Sequence, residues 1–174
     1  MDGRRFIQVY TGDGKGKTTA AAGLALRALG AGWRVCLIQF CKAQPSAELE
    51  MLQKAGGGRF TLRRFGAGSF IVGEPSDEDR AEARNGLAEA REAVACGAYD
   101  LVVLDEINQA VHFKLIGIPE LLALLDARPD SVELLLTGRR AAPELLARAD
   151  FVTEMREVKH YYAQGVGARH GIEF

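Results

Sequence analysis

Short apolar runs alternate along the chain with longer stretches of helical period, and this alternation constrains the fold more than any other feature. The strand candidates are FIQVY at 6–10, RVCLIQF at 34–40, FTLRRF at 60–65, LVVLD at 101–105, VELLLT at 132–137 and FVTEM at 151–155. Helical stretches are predicted between them at 17–29, 47–54, 76–96, 119–127 and 143–149. Ser76 and Asp77 suit the cap of the third helix, and Pro119 and Pro143 suit first-turn positions. Such a pattern predicts an α/β fold, a mostly parallel sheet flanked by helices. At 174 residues the chain has room for one sizeable core, so residues 1–174 are read as a single domain.

Charge excludes some partners. With 22 basic against 23 acidic residues, no overall field draws the chain to nucleic acid or to an anionic membrane, so a charged ligand must be held locally. Neither a long apolar run nor a signal-like start is present, and the expected location is the cytoplasm. Cys36, Cys41 and Cys96 form no C-x-x-C pair and read as small buried or half-buried apolar residues. His112, His160 and His170 lack zinc-ligand spacing. Two glycine-rich breaks, AGGGRF at 55–60 and FGAGSFIVGEP at 65–75, interrupt the alternation. The second carries Phe70, Ile71 and Val72 where a linker would be polar, which leaves two readings: a segment that closes over something, or a loop tucked on its own domain.

The chemistry-bearing motif is YTGDGKGKTTAAAG at 10–23. A strand ends at Tyr10, glycines recur at Gly12, Gly14 and Gly16 around Asp13 and Lys15, and Lys17, Thr18 and Thr19 open an alanine-rich helix. Glycines let backbone N–H groups turn inward on an anion, and the helix start adds its own free N–H groups and dipole. Lys17 supplies a full charge to phosphates, and the Thr18 hydroxyl is placed to ligate a magnesium ion bound to them. Against G-x-x-x-x-G-K-[ST], Thr11 stands where the first glycine belongs. Lys15 is an extra cation, read as a phosphate contact in preference to a solvated side chain.

Such a loop needs an acid for its metal, usually at the end of a neighbouring buried strand. LVVLDEIN supplies it: Leu101 to Leu104 read as a strand covered on both faces, and Asp105 and Glu106 emerge where ligands of open α/β sheets bind. On the same rim LLLTGRR offers Thr137, Gly138 and Arg139; Arg139 stands open between phosphate contact and surface charge. Most proteins with this loop cleave a terminal phosphate, so an ATPase or phosphotransferase is one reading, and a non-catalytic nucleotide switch is another. The chain has no arginine-rich lid and no basic stripe, which leaves a kinase or helicase short of parts.

YTGDGKGKTTAAAGLALRALGAG, LVVLDEIN and the closing LLTGRRAAPELLARADFVTEMREVKHYYAQGVGARHGIEF resemble the corrinoid adenosyltransferases of the P-loop type. The likeness spans nearly the whole chain and includes Thr11 before G-x-G-K-G-K-T. It implies a P-loop NTPase (RecA-like) fold and transfer of the 5′-deoxyadenosyl group of ATP to the cob(I) form of a corrinoid, with release of inorganic triphosphate. The acceptor it implies is cobalamin or cob(I)yrinic acid a,c-diamide. A cob(I) corrinoid is itself the nucleophile, so no enzymic base is demanded.

By matching position the resemblance implies that Gly14, Lys15, Gly16, Lys17, Thr18 and Thr19 hold the triphosphate and that Thr18 and Glu106, with Asp105 as the second choice of acid, hold Mg²⁺. A homodimer and an electron donor such as a flavoprotein are implied too. Some relatives carry an aromatic F-x-W pair after the G-x-G of the segment at 65–75; here GAGSFIVG offers Phe70 alone, so Phe70 with Ile71 stands as the hydrophobic cover of the corrinoid.

Overall fold

The computed structural model of the protein describes residues 4–42, 46–67 and 73–173. Its strands are β1 (Ile7–Thr11), β2 (Val35–Phe40), β3 (Phe60–Phe65), β4 (Leu101–Asp105), β5 (Glu133–Thr137) and β6 (Phe151–Glu154). Its helices are α1 (Lys17–Gly30), α2 (Ala47–Gly56), α3 (Asp77–Ala95), α4 (Ile107–His112), α5 (Ile118–Asp126) and α6 (Pro143–Arg148). The strands form one sheet in the order β3-β2-β4-β5-β1-β6, and every pairing is parallel.

Burial follows position in the sheet. Every residue of β2, β4 and β5 is buried, as expected for central parallel strands with helices on both faces. At the edge, Phe151 and Val152 of β6 stay 51% and 43% exposed. Side-chain alternation sends Val35, Leu37, Leu101, Val103 and Leu135 to one face, against Ala21, Ala25 and Leu29 of α1 and Leu49 and Leu52 of α2. The other residues of the same strands, among them Cys36, Ile38, Val102, Leu104, Leu134 and Leu136, meet α3, α4, α5 and α6 through Leu87, Ile107, Leu121 and Leu145. Alanines let α1 lie close to the sheet, which brings its first turn near the ends of β4 and β5.

Local signals set the helix ends. Ser76 caps α3: its hydroxyl accepts the Asp79 N–H at 3.1 Å and the Asp79 carboxylate accepts the Ser76 N–H at 2.9 Å, a reciprocal capping box. Pro119 and Pro143 lie in the first turns of α5 and α6. Cys36 is buried and Cys41 half-buried, but Cys96, just past α3, is exposed, against the expectation that all three pack inside. Among the described residues no helix is long and apolar enough to cross a membrane. Phe70, Ile71 and Val72 lie outside the described residues.

Candidate active site

The loop between β1 and α1 is shaped by glycine and held from behind by the strand that follows it in space. Gly16, at the N-cap of α1, has φ +113°, a conformation that side chains oppose. A Cβ on Gly12 would lie 2.4 Å from the Met155 carbonyl oxygen, and one on Gly14 would lie 2.7 Å from it. Two backbone bonds explain the closeness: Gly14 N–H donates to Met155 O at 2.7 Å and Met155 N–H donates to Thr11 O at 2.8 Å. The Gly14 N–H is therefore spent on the end of β6 rather than turned toward an anion. No spacing rule could have revealed this contact, because it lies between backbones distant in sequence.

In front of the loop opens a cleft of ≈ 430 Å³. Gly14, Lys15, Gly16, Lys17, Thr18 and Thr19 line it together with Lys42, Glu48, Glu106 and Arg139. The structure thus brings together most of the residues expected at the site. Gly12 and Asp13 are not in its lining: Asp13 and Arg139 line a neighbouring cavity of ≈ 420 Å³ with Glu154, Arg156 and Glu157.

Lys17 is buried, and its ammonium donates to Gly12 O at 2.6 Å and Gly14 O at 2.7 Å. Burial lowers its pKa from the usual lysine value, while the Glu106 charge works against that shift. Asp105 is fully buried at the end of β4. Its Oδ1 accepts from Thr137 at 2.6 Å and from Thr18 at 3.1 Å, and its Oδ2 accepts from Gln39 at 2.8 Å. The Thr137 hydroxyl also accepts the Glu106 N–H at 3.0 Å, so one threonine fixes both acids. Glu106 adopts φ +61°, an unusual backbone state for a non-glycine residue, and its half-buried side chain lines the cleft. Burial raises the Glu106 carboxyl above the ordinary range and the Asp105 charge raises it further.

The acid pair therefore divides its labour: Asp105 orients Thr18 from below, and Glu106 faces the cleft. β4 is not the neighbour of β1, as the motif alone suggested, because β5 lies between them and inserts Thr137 into the network. Gln39 was also missed, although a lone amide in the apolar run VCLIQF signals a buried partner. His160 reaches the cleft wall from the C-terminal segment, its Nδ1 accepting the Tyr162 N–H at 3.0 Å.

A parallel sheet with a glycine loop at the head of α1 and an acid pair at the end of β4 defines the class, a P-loop NTPase-like α/β fold. Within it the chain belongs to the ATP:corrinoid adenosyltransferase family described as BtuR/CobO/CobP, which matches residues 3–174. It is 35% identical over 175 residues to a protein of Escherichia coli K12 named corrinoid adenosyltransferase, covering 100% of this chain and 88% of that protein. A Pseudomonas aeruginosa protein of the same name is 35% identical over 173 residues, covering 99% of this chain and 85% of its own. Corrinoid adenosyltransferase CobA of Salmonella typhimurium is 35% identical over 172 residues, covering 98% and 86%.

Proposed function

We propose that this chain transfers the 5′-deoxyadenosyl group of ATP to the cob(I) form of a corrinoid and releases inorganic triphosphate. The observation that carries the reading is the family match over residues 3–174, whose glycine loop fronts the cleft. The loop grips the leaving group. Cobalt(I) supplies the electron pair of the new cobalt–carbon bond, the bond between the 5′ carbon and its oxygen breaks, and that electron pair departs with the triphosphate.

Each residue has a physical task in this displacement. Lys17 swings from the loop carbonyls to the phosphates, where its charge opposes the negative charge that builds as the bond breaks. Lys15 and Arg139, which also line the cleft, add further positive charge there. The sheet ends and the loop hold the 5′ carbon in line with the incoming metal, which converts a bimolecular encounter into an oriented one.

Magnesium fits the donors present: the Thr18 hydroxyl and the Glu106 carboxylate are hard oxygen ligands, and this ion favours one or two carboxylates together with substrate phosphates. Asp105 already has both oxygens engaged, so Glu106 is the acid we assign to it. Bound there, the ion neutralises charge on the departing triphosphate. We infer in addition a cytoplasmic homodimer served by an electron donor such as a flavoprotein, which family membership supports.

Supplying MgATP and chemically reduced corrinoid without oxygen tests the reaction. Triphosphate together with a light-sensitive cobalt–carbon bond is the expected pair of products. Orthophosphate without alkylated cobalt would instead make the chain an ATPase or phosphotransferase.

A further inference from the structure

Both lysines of the glycine loop are satisfied by the protein itself. Lys17 caps two carbonyls of its own loop, whereas Lys15 reaches 157 residues along the chain, donating to Ile172 O at 2.8 Å and to Glu173 Oε1 at 2.7 Å. Glu173 is the hub of a small knot. The Tyr161 hydroxyl donates to its Oε1, the Arg169 N–H donates to its Oε2 at 2.7 Å, and the Arg169 guanidinium lies 4.6 Å from the centre of the Tyr161 ring. Lys15 above all, then Tyr161 and Arg169, hold the Glu173 carboxyl far below its usual range.

This knot is part of the cleft lining: His160, Gly171, Ile172 and Glu173 line the same cleft as Lys15, Lys17 and Thr18. Yet no residue from 156 to 173 is buried, so the segment is tied to the loop by polar contacts and opens without disturbing the core. A carboxylate here is at odds with the triphosphate the cleft is read to hold, because like charges side by side in a partly desolvated site repel.

We propose that Glu173 is a built-in surrogate for a nucleotide phosphate: its carboxylate occupies on Lys15 the subsite that a phosphate of the entering nucleotide takes. The proposal rests on the reading of the loop as a triphosphate grip. Binding is then an exchange in which a phosphate oxygen replaces Glu173 on the Lys15 ammonium and the 161–173 segment is released from the loop. Only a ligand whose phosphates reach Lys15 makes that exchange, so Glu173 discriminates in favour of a long polyphosphate chain. Release of the triphosphate product runs the exchange backwards, with Glu173 returning to Lys15.

Calorimetric titration with tripolyphosphate, on wild type, Glu173→Gln and Tyr161→Phe, tests this by sign. Removing the competing charge in Glu173→Gln is expected to tighten binding about fivefold, the scale of an exposed ion pair. Tyr161→Phe, which loosens the hold on Glu173, shifts affinity the same way by less. Hydrogen exchange of wild-type residues 161–173 is expected to rise when tripolyphosphate binds. Unchanged or weaker binding by Glu173→Gln, with exchange that falls on binding, would show a fixed structural wall and overturn the proposal while leaving the triphosphate grip intact. Failure of all three proteins to bind tripolyphosphate would remove the grip itself, and the surrogate with it.

Discussion

Lys17→Ala lowers turnover of MgATP and reduced corrinoid at least ~100-fold, equivalent to about 2.7 kcal/mol of barrier. The size of the effect follows from where the charge sits. Lys17 is 7% exposed at the head of α1, and an ammonium so shielded acts through a lower dielectric than in bulk solvent. Because the leaving triphosphate is more negative in the transition state than in bound ATP, the loss falls more heavily on kcat than on KM. Lys17→Arg does not restore the rate, since a planar guanidinium cannot occupy the slot between Gly12 O and Gly14 O that a compact ammonium fills at 2.6 and 2.7 Å. Steady-state kinetics of the two variants, alongside their melting curves to confirm folding, check this expectation.

Glu106→Ala has an effect of the same order, ~100-fold or more in turnover. Its carboxylate is the cleft-facing member of the acid pair, kept in a left-handed backbone state at the junction of β4 and α4 by the Thr137 hydroxyl. A residue held so far from its preferred backbone has to be over-determined by its surroundings, which is the usual condition of a working side chain. The accompanying sign of a metal ligand is a higher magnesium concentration for half-maximal rate. A variant with wild-type rate and wild-type magnesium dependence would take Glu106 out of the site.

Much of this architecture is legible in the chain before any coordinates. β3 and β4 run over the very residues expected, because FTLRRF lies between the glycine run 56–58 and Gly66, and LVVLD lies between the acids Asp100 and Glu106. β2, β5 and β6 each fall one residue short of the expected run at one end, and β1 is shifted by one residue, running Ile7–Thr11 where 6–10 was expected. α4 was not foreseen. Its six residues are too few to display a helical period, and it starts directly from the left-handed Glu106 with no capping side chain to announce it.

Long-range polar contacts were the other blind spot. That Thr137 serves both acids depends on β5 lying between β4 and β1, and strand order is set by crossovers that no local pattern encodes. The C-terminal stretches VTEM and GIEF carried the family likeness, but their tasks emerge only in three dimensions: Met155 braces the glycine loop, and Glu173 ties down Lys15.

The central claim is that the glycine loop holds all three phosphates as one departing group while the ribose faces the cavity that admits the corrinoid. A crystal structure with MgATP and a non-reducible corrinoid measures this directly. The account predicts the phosphate chain lying along Gly14 to Thr19, the metal on Thr18 and Glu106, and the ribose 5′ carbon turned into the open cleft toward cobalt. A terminal phosphate presented to the cleft, with the ribose buried away from the corrin ring, would contradict it.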